Sequence, residues 1–186
     1  MKKYLILGLT LLMSVVVFGQ KVPSANWSHS VDKQEVSVGD IVEVKFITDV
    51  QEGYHIYSND YGNCPPVKAV FTFDKDDSYE LVGGAKPIGS HHYTDDIFEC
   101  EVADFEGKAE FRQKIKILKA NPKIVGLLEY QMCTADGKCA LFEYDIVVNG
   151  IKVSDGVKAT PVKVDPVIKN PEVKKPKDVK PVEVNP

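Results

Sequence analysis

Between residues 27 and 149 the chain carries no sustained helical period; its apolar residues come in short runs that alternate with polar ones. Ile41-Val42-Glu43-Val44-Lys45-Phe46-Ile47 alternates as a half-buried strand does. Glu110-Phe111-Arg112-Gln113-Lys114-Ile115-Lys116-Ile117 places apolar residues at odd positions from Phe111 onward, Gln113 excepted. Further strands are predicted over residues 54–57, 67–73, 79–82, 98–102, 124–132 and 142–148. Turn signals separate them at Val38-Gly39-Asp40, Gly53, Gly83-Gly84, Glu106-Gly107-Lys108 and Ala120-Asn121-Pro122. About eight short strands in roughly 120 residues predict an all-β fold, a two-sheet β-sandwich of immunoglobulin-like type. The cysteine–tryptophan–cysteine spacing of antibody domains is missing, because Trp27 precedes every cysteine; Trp27 is read as a first-strand core residue or edge plug.

The two ends have a different character. Lys2 and Lys3 precede an apolar run, and Val17-Phe18-Gly19 offers a cleavage site before Gln20, which makes residues 1–19 a secretory signal peptide. At 1.5 Å per residue the run reaches about 24 Å, short of a membrane core of about 30 Å. The mature protein is therefore expected in the periplasm or otherwise exported, soluble and without direct membrane insertion. At the other end a proline stands at every fifth position: Pro161, Pro166, Pro171, Pro176, Pro181 and Pro186. That spacing defeats helix and interrupts any sheet ladder, so residues 156–186 read as an extended C-terminal tail, disordered and polyproline-like, and the folded domain is residues 20–155.

Charge excludes several partners. Residues 21–155 hold 14 basic against 23 acidic side chains, which leaves no basic footprint for nucleic acid or anionic lipid. No P-loop, dinucleotide fingerprint, nucleophile elbow or HExxH motif occurs, so neither nucleotide chemistry nor conventional hydrolysis is indicated and no cofactor is expected. The four cysteines are separated by 35, 32 and 5 residues, unlike the short knuckles of structural zinc sites, and no metal is expected. His91-His92 reads as a solvated loop pair.

The strongest local signal is Cys133-Thr134-Ala135-Asp136-Gly137-Lys138-Cys139. If the flanking strands pair, Asp136-Gly137 makes the turn that brings the two sulfurs together. A disulfide there closes a small loop and is worth only about 2–2.5 kcal/mol in the chain-entropy picture. It is either a hairpin staple or a bond made and broken in exchange. Lys138 favours a neighbouring thiolate and Asp136 disfavours one, which leaves open which cysteine attacks. Cys64 lies in Tyr61-Gly62-Asn63-Cys64-Pro65-Pro66, and Cys100 in Phe98-Glu99-Cys100-Glu101. A structural Cys64–Cys100 bridge would contribute about 4 kcal/mol by the same reasoning. Four cysteines allow three pairings, and the sequence alone does not choose.

Several segments together resemble the N-terminal periplasmic domain of the DsbD thiol:disulfide interchange protein family. They are Gly53-Tyr54-His55-Ile56-Tyr57-Ser58, Cys64-Pro65-Pro66, Phe71-Thr72-Phe73, Tyr79-Glu80-Leu81-Val82-Gly83, Phe111-Arg112-Gln113-Lys114-Ile115 and Gly126-Leu127-Leu128-Glu129-Tyr130-Gln131-Met132-Cys133. The likeness covers residues 27–149. It implies an immunoglobulin-like domain that carries reducing equivalents on a Cys-x5-Cys pair, Cys133 and Cys139, with Cys139 the sulfur engaged in mixed disulfides. It also implies thioredoxin-like periplasmic partners and a membrane-embedded electron donor, supplied here in trans. An aromatic-tipped cap loop belongs to the same picture, and Tyr93-Thr94-Asp95-Asp96-Ile97-Phe98 is the matching stretch, with Tyr93 and Phe98 as cap residues and Asp136 and Lys138 in support. Two departures stand out. Ala140-Leu141 follows Cys139 where family members often have a proline pair, and Cys64 and Cys100 are additional to the family pair. The resulting expectation is a dithiol/disulfide carrier, a candidate component of a protein-disulfide reductase system. The alternative is a non-catalytic exported binding or adaptor domain with structural disulfides.

Overall fold

The computed structural model describes residues 22–96 and 98–154 and resolves the alternating runs into twelve strands, with no helix among those residues. In chain order they are β1 (Ser28–Val31), β2 (Glu35–Ser37), β3 (Ile41–Asp49), β4 (Tyr54–Tyr57), β5 (Val70–Phe73) and β6 (Tyr79–Pro87). There follow β7 (His91–Asp95), β8 (Cys100–Phe105), β9 (Lys108–Ile117), β10 (Ile124–Thr134), β11 (Cys139–Val148) and β12 (Lys152–Ser154). One sheet has the order β1-β3-β9-β6. The other runs β11-β10-β4-β8-β7, with β5 also paired to β10, and β12 and β2 form a parallel two-stranded ribbon. The fold is an all-β, immunoglobulin-like sandwich. The expected signal peptide and proline-periodic tail lie outside the described residues, as does Ile97.

The period of two decides what faces the core. In β3 the side chains of Val42, Val44, Phe46 and Thr48 turn inward, and in β9 those of Phe111, Gln113, Ile115 and Ile117 do. Aromatic contacts then lock the sheets together. Phe46 and Phe71 lie 5.1 Å apart between ring centroids, Phe105 and Phe111 5.2 Å, and Trp27 sits 6.0 Å from Phe111 and 5.6 Å from Tyr130. Trp27 is thus a core residue, immediately ahead of the first strand.

Three sequence expectations are corrected. Gly83-Gly84 does not end a strand: β6 runs through it to Pro87, with a register shift between Val82 and Lys86 and Gly83 in the left-handed region at φ +73°. The glycines allow a bulge where a turn was expected. That bulge explains the exception in β9, because the buried Gln113 amide donates to the Gly83 carbonyl (3.0 Å) and the Lys114 carbonyl (2.8 Å). His91 and His92 belong to strand β7 and not to a loop, since β8 supplies the ladder partner that a local reading cannot see. Finally, the strands expected to end at Met132 and begin at Phe142 extend to Thr134 and from Cys139, so both cysteines lie on strands.

Replacing Gln113 with leucine should remove the donor from the Gly83 carbonyl and destabilise the domain by about 1–3 kcal/mol. Urea unfolding should then show a lower midpoint at an unchanged slope.

Candidate functional site

Directly opposed residues of antiparallel strands project to the same face. The pairing of β10 with β11 sets Cys133 opposite Cys139, and the pairing of β10 with β4 sets Cys133 opposite His55. On the next strands Tyr57 opposes Asp104, Asp104 opposes His91, and Tyr93 opposes Val102. The row Cys139, Cys133, His55 therefore shares the outer face of the six-stranded sheet with Tyr57, Asp104, Val102 and Cys100, two-residue steps along their strands. Inward-facing neighbours such as Ile56, Met132 and Phe105 belong to the core.

Two disulfides lie on this face. Cys133 and Cys139 are bonded across adjacent strands, with Cα atoms 4.1 Å apart, the close spacing of a non-hydrogen-bonded pair. Cys64 is bonded to Cys100. The turn between Cys133 and Cys139 is closed by Thr134 and Lys138: Thr134 N–H donates to the Lys138 carbonyl (2.9 Å), and Lys138 N–H donates to Thr134 Oγ1 (3.0 Å). Gly137 takes φ +84°, which a glycine adopts without the steric cost of a Cβ. Ala135 N–H donates to the Gly53 carbonyl (3.0 Å) and ties this turn to the one before β4.

The two sulfurs have different surroundings. Cys139, on the edge strand, is exposed, whereas Cys133 is 1% exposed. Cys133 is buried in a small cluster with Tyr57, Tyr61, Val102 and Ala103, against which Cys64 and Tyr93 pack. The covering segment is the connection of residues 58–69 between β4 and β5. It is fixed over the outer face by Ser58 N–H to the Ala103 carbonyl (2.8 Å) and by Val67 N–H to Gln131 Oε1 (2.6 Å). Asp60 of the same segment meets His92 Nε2 at 3.0 Å, while His92 Nδ1 lies 3.1 Å from Glu101. Hydrogen bonds to the carboxylates of Asp60 and Glu101 raise the His92 pKa above its ordinary value.

Of the other residues singled out from the sequence, Asp136 and Lys138 pair with each other at 2.8 Å, both exposed. Lys138 and Thr134 hold the Asp136 carboxyl below the usual carboxylate range, and Asp136 raises Lys138. With the lysine charge matched in this way, the turn offers Cys139 little unbalanced positive field. Tyr93 reaches the cluster around Cys133, but Phe98 stands 43% exposed at the β7–β8 turn, its N–H donating to Asp95 Oδ1 (2.8 Å). Among the described residues no group of three or more His, Cys, Asp or Glu side chains is arranged to hold a metal.

Sequence reasoning missed the buried polar group at the centre of this face. Asp104 is 4% exposed. The Tyr93 hydroxyl donates to its Oδ2 (3.2 Å), but its Oδ1 has no hydrogen-bond partner among the described residues, the His91 Nδ1 being 3.9 Å away. Burial pushes the Asp104 carboxyl above the ordinary range, and His55, Tyr93 and His91 offset only part of this. His55 Nε2 is likewise buried without a partner among those residues. The ring of His55 stands edge-on to Tyr57 at 5.1 Å, and burial raises the Tyr57 phenol. Only the alternation Tyr54-His55-Ile56-Tyr57 hinted that His55 and Tyr57 share a face; nothing local in Ala103-Asp104-Phe105 marks Asp104 as buried.

Residues 29–149 match the family described as thiol:disulfide interchange protein DsbD, N-terminal. Among solved structures, the N-terminal periplasmic domain of ScsB from Proteus mirabilis superposes with a TM-score of 0.52 at 13% identity. That match covers 72% of this chain and 51% of the other, so the chain spans about half the length of that ScsB domain, and at this identity the likeness speaks for the fold alone. The DsbD N-terminal domain of Neisseria meningitidis, in its reduced form, matches at 24% identity with a TM-score of 0.40, over 61% of this chain and 82% of that one. The same domain in complex with the PilB N-terminal domain matches at 20% identity and a TM-score of 0.42, over 71% and 91%. Among curated proteins the chain has no match.

The burial of Asp104 has a pH signature. Below the unfolded carboxyl value of about 3.9 both states are protonated and the burial of charge costs nothing. As pH rises past that value the unfolded chain ionises first, so stability falls, and the full loss is present above the raised folded value. Asp104→Asn, neutral throughout, should be more stable than the parent at pH 7 by about 1 kcal/mol. The advantage should vanish near pH 3.5 when the two are compared by urea unfolding.

Proposed function

The chain belongs to the DsbD N-terminal family of thiol:disulfide interchange domains, and from that premise we propose that it carries reducing equivalents on Cys133 and Cys139. The observation that supports this most directly is the asymmetry of the pair, one sulfur exposed on an edge strand and the other buried behind it. Exchange needs an attacking thiolate that can reach one sulfur in line with the bond to the other. A donor thiolate attacks Cys139 Sγ, a new sulfur–sulfur bond forms, and the Cys133–Cys139 bond breaks with its electron pair going to Cys133. The second thiolate of the donor then attacks the donor's own sulfur in the mixed disulfide and releases Cys139. The donor leaves oxidised and this chain becomes the dithiol. Run in reverse against an oxidised protein, the same steps hand the electrons on, with Cys139 attacking and Cys133 resolving.

The partners in this reading are thioredoxin-like exported proteins, whose own paired cysteines match the two-step exchange, with a membrane-embedded donor acting in trans and the domain working in the periplasm. Tyr93 and the 58–69 segment keep solvent thiols from Cys133. Asp136 and Lys138 shape the turn more than they charge it, because each neutralises the other. Cys64–Cys100 acts as a structural bond in this scheme.

The equilibrium reduction potential of Cys133–Cys139, measured against glutathione buffers with alkylation and mass mapping, tests the reading. A value of about −180 to −270 mV is expected for a carrier, and one below about −300 mV would assign the pair a staple's role in an adaptor domain. Cys133→Ser should accumulate a mixed disulfide through Cys139 with a thioredoxin-like protein. Cys139→Ser should trap far less, since its remaining thiol is the buried one.

A further inference from the structure

The bond between Cys64 and Cys100 holds a particular place on the outer face. Cys100 begins β8, where it opposes Asp95 at the base of the β7–β8 turn. Cys64 sits at the tip of the 58–69 segment and packs against the cluster that buries Cys133. The two ends of that segment are well anchored. Ser58 bonds to Ala103, Asn59 Nδ2 donates to the Ala85 carbonyl (3.0 Å), Asp60 meets Ser90 and His92, and Val67 bonds to Gln131.

The tip is not anchored in this way. Among the described residues, the hydrogen bonds at residues 61–66 stay within the segment: the Tyr61 hydroxyl donates to the Pro66 carbonyl (2.9 Å), and Lys68 Nζ donates to the Tyr61 carbonyl. Pro65 and Pro66 have no N–H to offer a neighbouring strand. Among the described residues, what joins the tip to the sheet is the apolar packing of Tyr61 and Cys64 against Tyr57, Val102, Ala103 and Cys133, with Tyr61 and Tyr57 6.3 Å apart between ring centroids, and the covalent bond to Cys100. The tip is also the part that supplies Tyr61 and Cys64 to the cover over Cys133.

We infer that the Cys64–Cys100 bond is a positioning device for the exchange reaction: by holding residues 61–66 over Cys133 it confines attack to Cys139. The inference rests on the carrier reading above and adds to it the source of its regiochemistry. A disulfide whose two sulfurs are equally open can be attacked at either one, and attack at Cys133 would leave the partner bonded to the buried sulfur with Cys139 as the leaving group. With the bond intact, an approaching thiolate finds Cys133 behind Tyr61 and Cys64 and finds Cys139 in the open. With it broken, only non-covalent apolar packing, chiefly that of Tyr61, keeps the tip in place, and Cys133 becomes reachable whenever that packing opens.

The test uses single-thiol forms, so that each sulfur of the pair reports alone. Cys133→Ser leaves Cys139 free, and Cys139→Ser leaves Cys133 free. Each is made with Cys64–Cys100 intact and again with Cys64→Ala and Cys100→Ala. The probe is 5,5′-dithiobis(2-nitrobenzoate), whose disulfide is attacked by the protein thiolate to give a mixed disulfide and one released thionitrobenzoate. Loss of the Cys64–Cys100 bond should speed the reaction of Cys133 by roughly tenfold or more while that of Cys139 changes less than about threefold. Unchanged Cys133 reactivity, or an equal rise at both sulfurs, would overturn the inference. If the alanine pair loses the near-ultraviolet circular dichroism of the parent, Cys64→Val with Cys100→Ala retains the apolar contact of the tip and is read by the same criteria. No partner protein enters this measurement, so it stands apart from the potential and trapping experiments. A carrier-range potential with unchanged Cys133 reactivity would remove this inference alone.

Discussion

The register between β10 and its two neighbours is the constraint on which the site depends. Because β10 pairs with β11 on one side and with β4 on the other, a single residue, Cys133, faces both Cys139 and His55. A slip of one residue would send Cys133 into the core and bring Met132 out, since successive side chains alternate between faces. The pattern that fills the core, with Leu128, Tyr130 and Met132 inward, is therefore the same pattern that holds Cys133 outward. Stability of the sandwich and placement of the sulfur are one requirement, met by one strand.

Two buried polar side chains, one in the core and one on the outer face, make an instructive contrast. Gln113 faces the interior and spends its amide on a carbonyl that the β6 bulge leaves without a ladder partner, so both groups are satisfied. Asp104, on the outer face, has one oxygen unpartnered among the described residues, and the buried Nε2 of His55 on the same face is unpartnered among them too. The burial of Gln113 is compensated, and that of Asp104 is only half so. His55 stands directly opposite Cys133, so one of these uncompensated groups borders the candidate site.

Much of the fold was legible in the chain. Alternation at residues 41–47 and 110–117 marks two strands that pair with each other in the structure, and Asp136-Gly137 marks the turn between the cysteine-bearing strands. What escaped a local reading was long-range. Gly83-Gly84 has the composition of a turn, and only the neighbouring β9 makes it a bulge. His91-His92 has no apolar alternation, and it is a strand because β8 offers it hydrogen bonds. At the site, the cysteine pair could be picked out from its spacing, but the cover over Cys133 could not. Among the described residues of the expected stretch, Tyr93 to Phe98, Tyr93 alone joins that cover, while Tyr61 and Cys64 come from a connection whose prolines announce rigidity and not position. The short strands β1, β2 and β12 have too few residues to show a period at all.

One further consequence follows from the place of β11 at the end of its sheet. Its residues with even numbers pair with β10, which turns the main-chain groups of Cys139, Leu141, Glu143, Asp145 and Val147 toward the open side. At the far end of the strand the ring of His29 closes part of this margin: Nε2 lies 3.0 Å from the Val147 carbonyl, and Nδ1 lies 2.7 Å from the Tyr144 hydroxyl. Among the described residues, the unpaired backbone is thus concentrated at the end where the exposed sulfur lies. The acidic side chains of Glu143 and Asp145 flank it, and in a like-for-like pairing of two copies they would face carboxylates of the same sign. The margin of the sheet discourages self-association through charge while leaving its amides and carbonyls open beside Cys139.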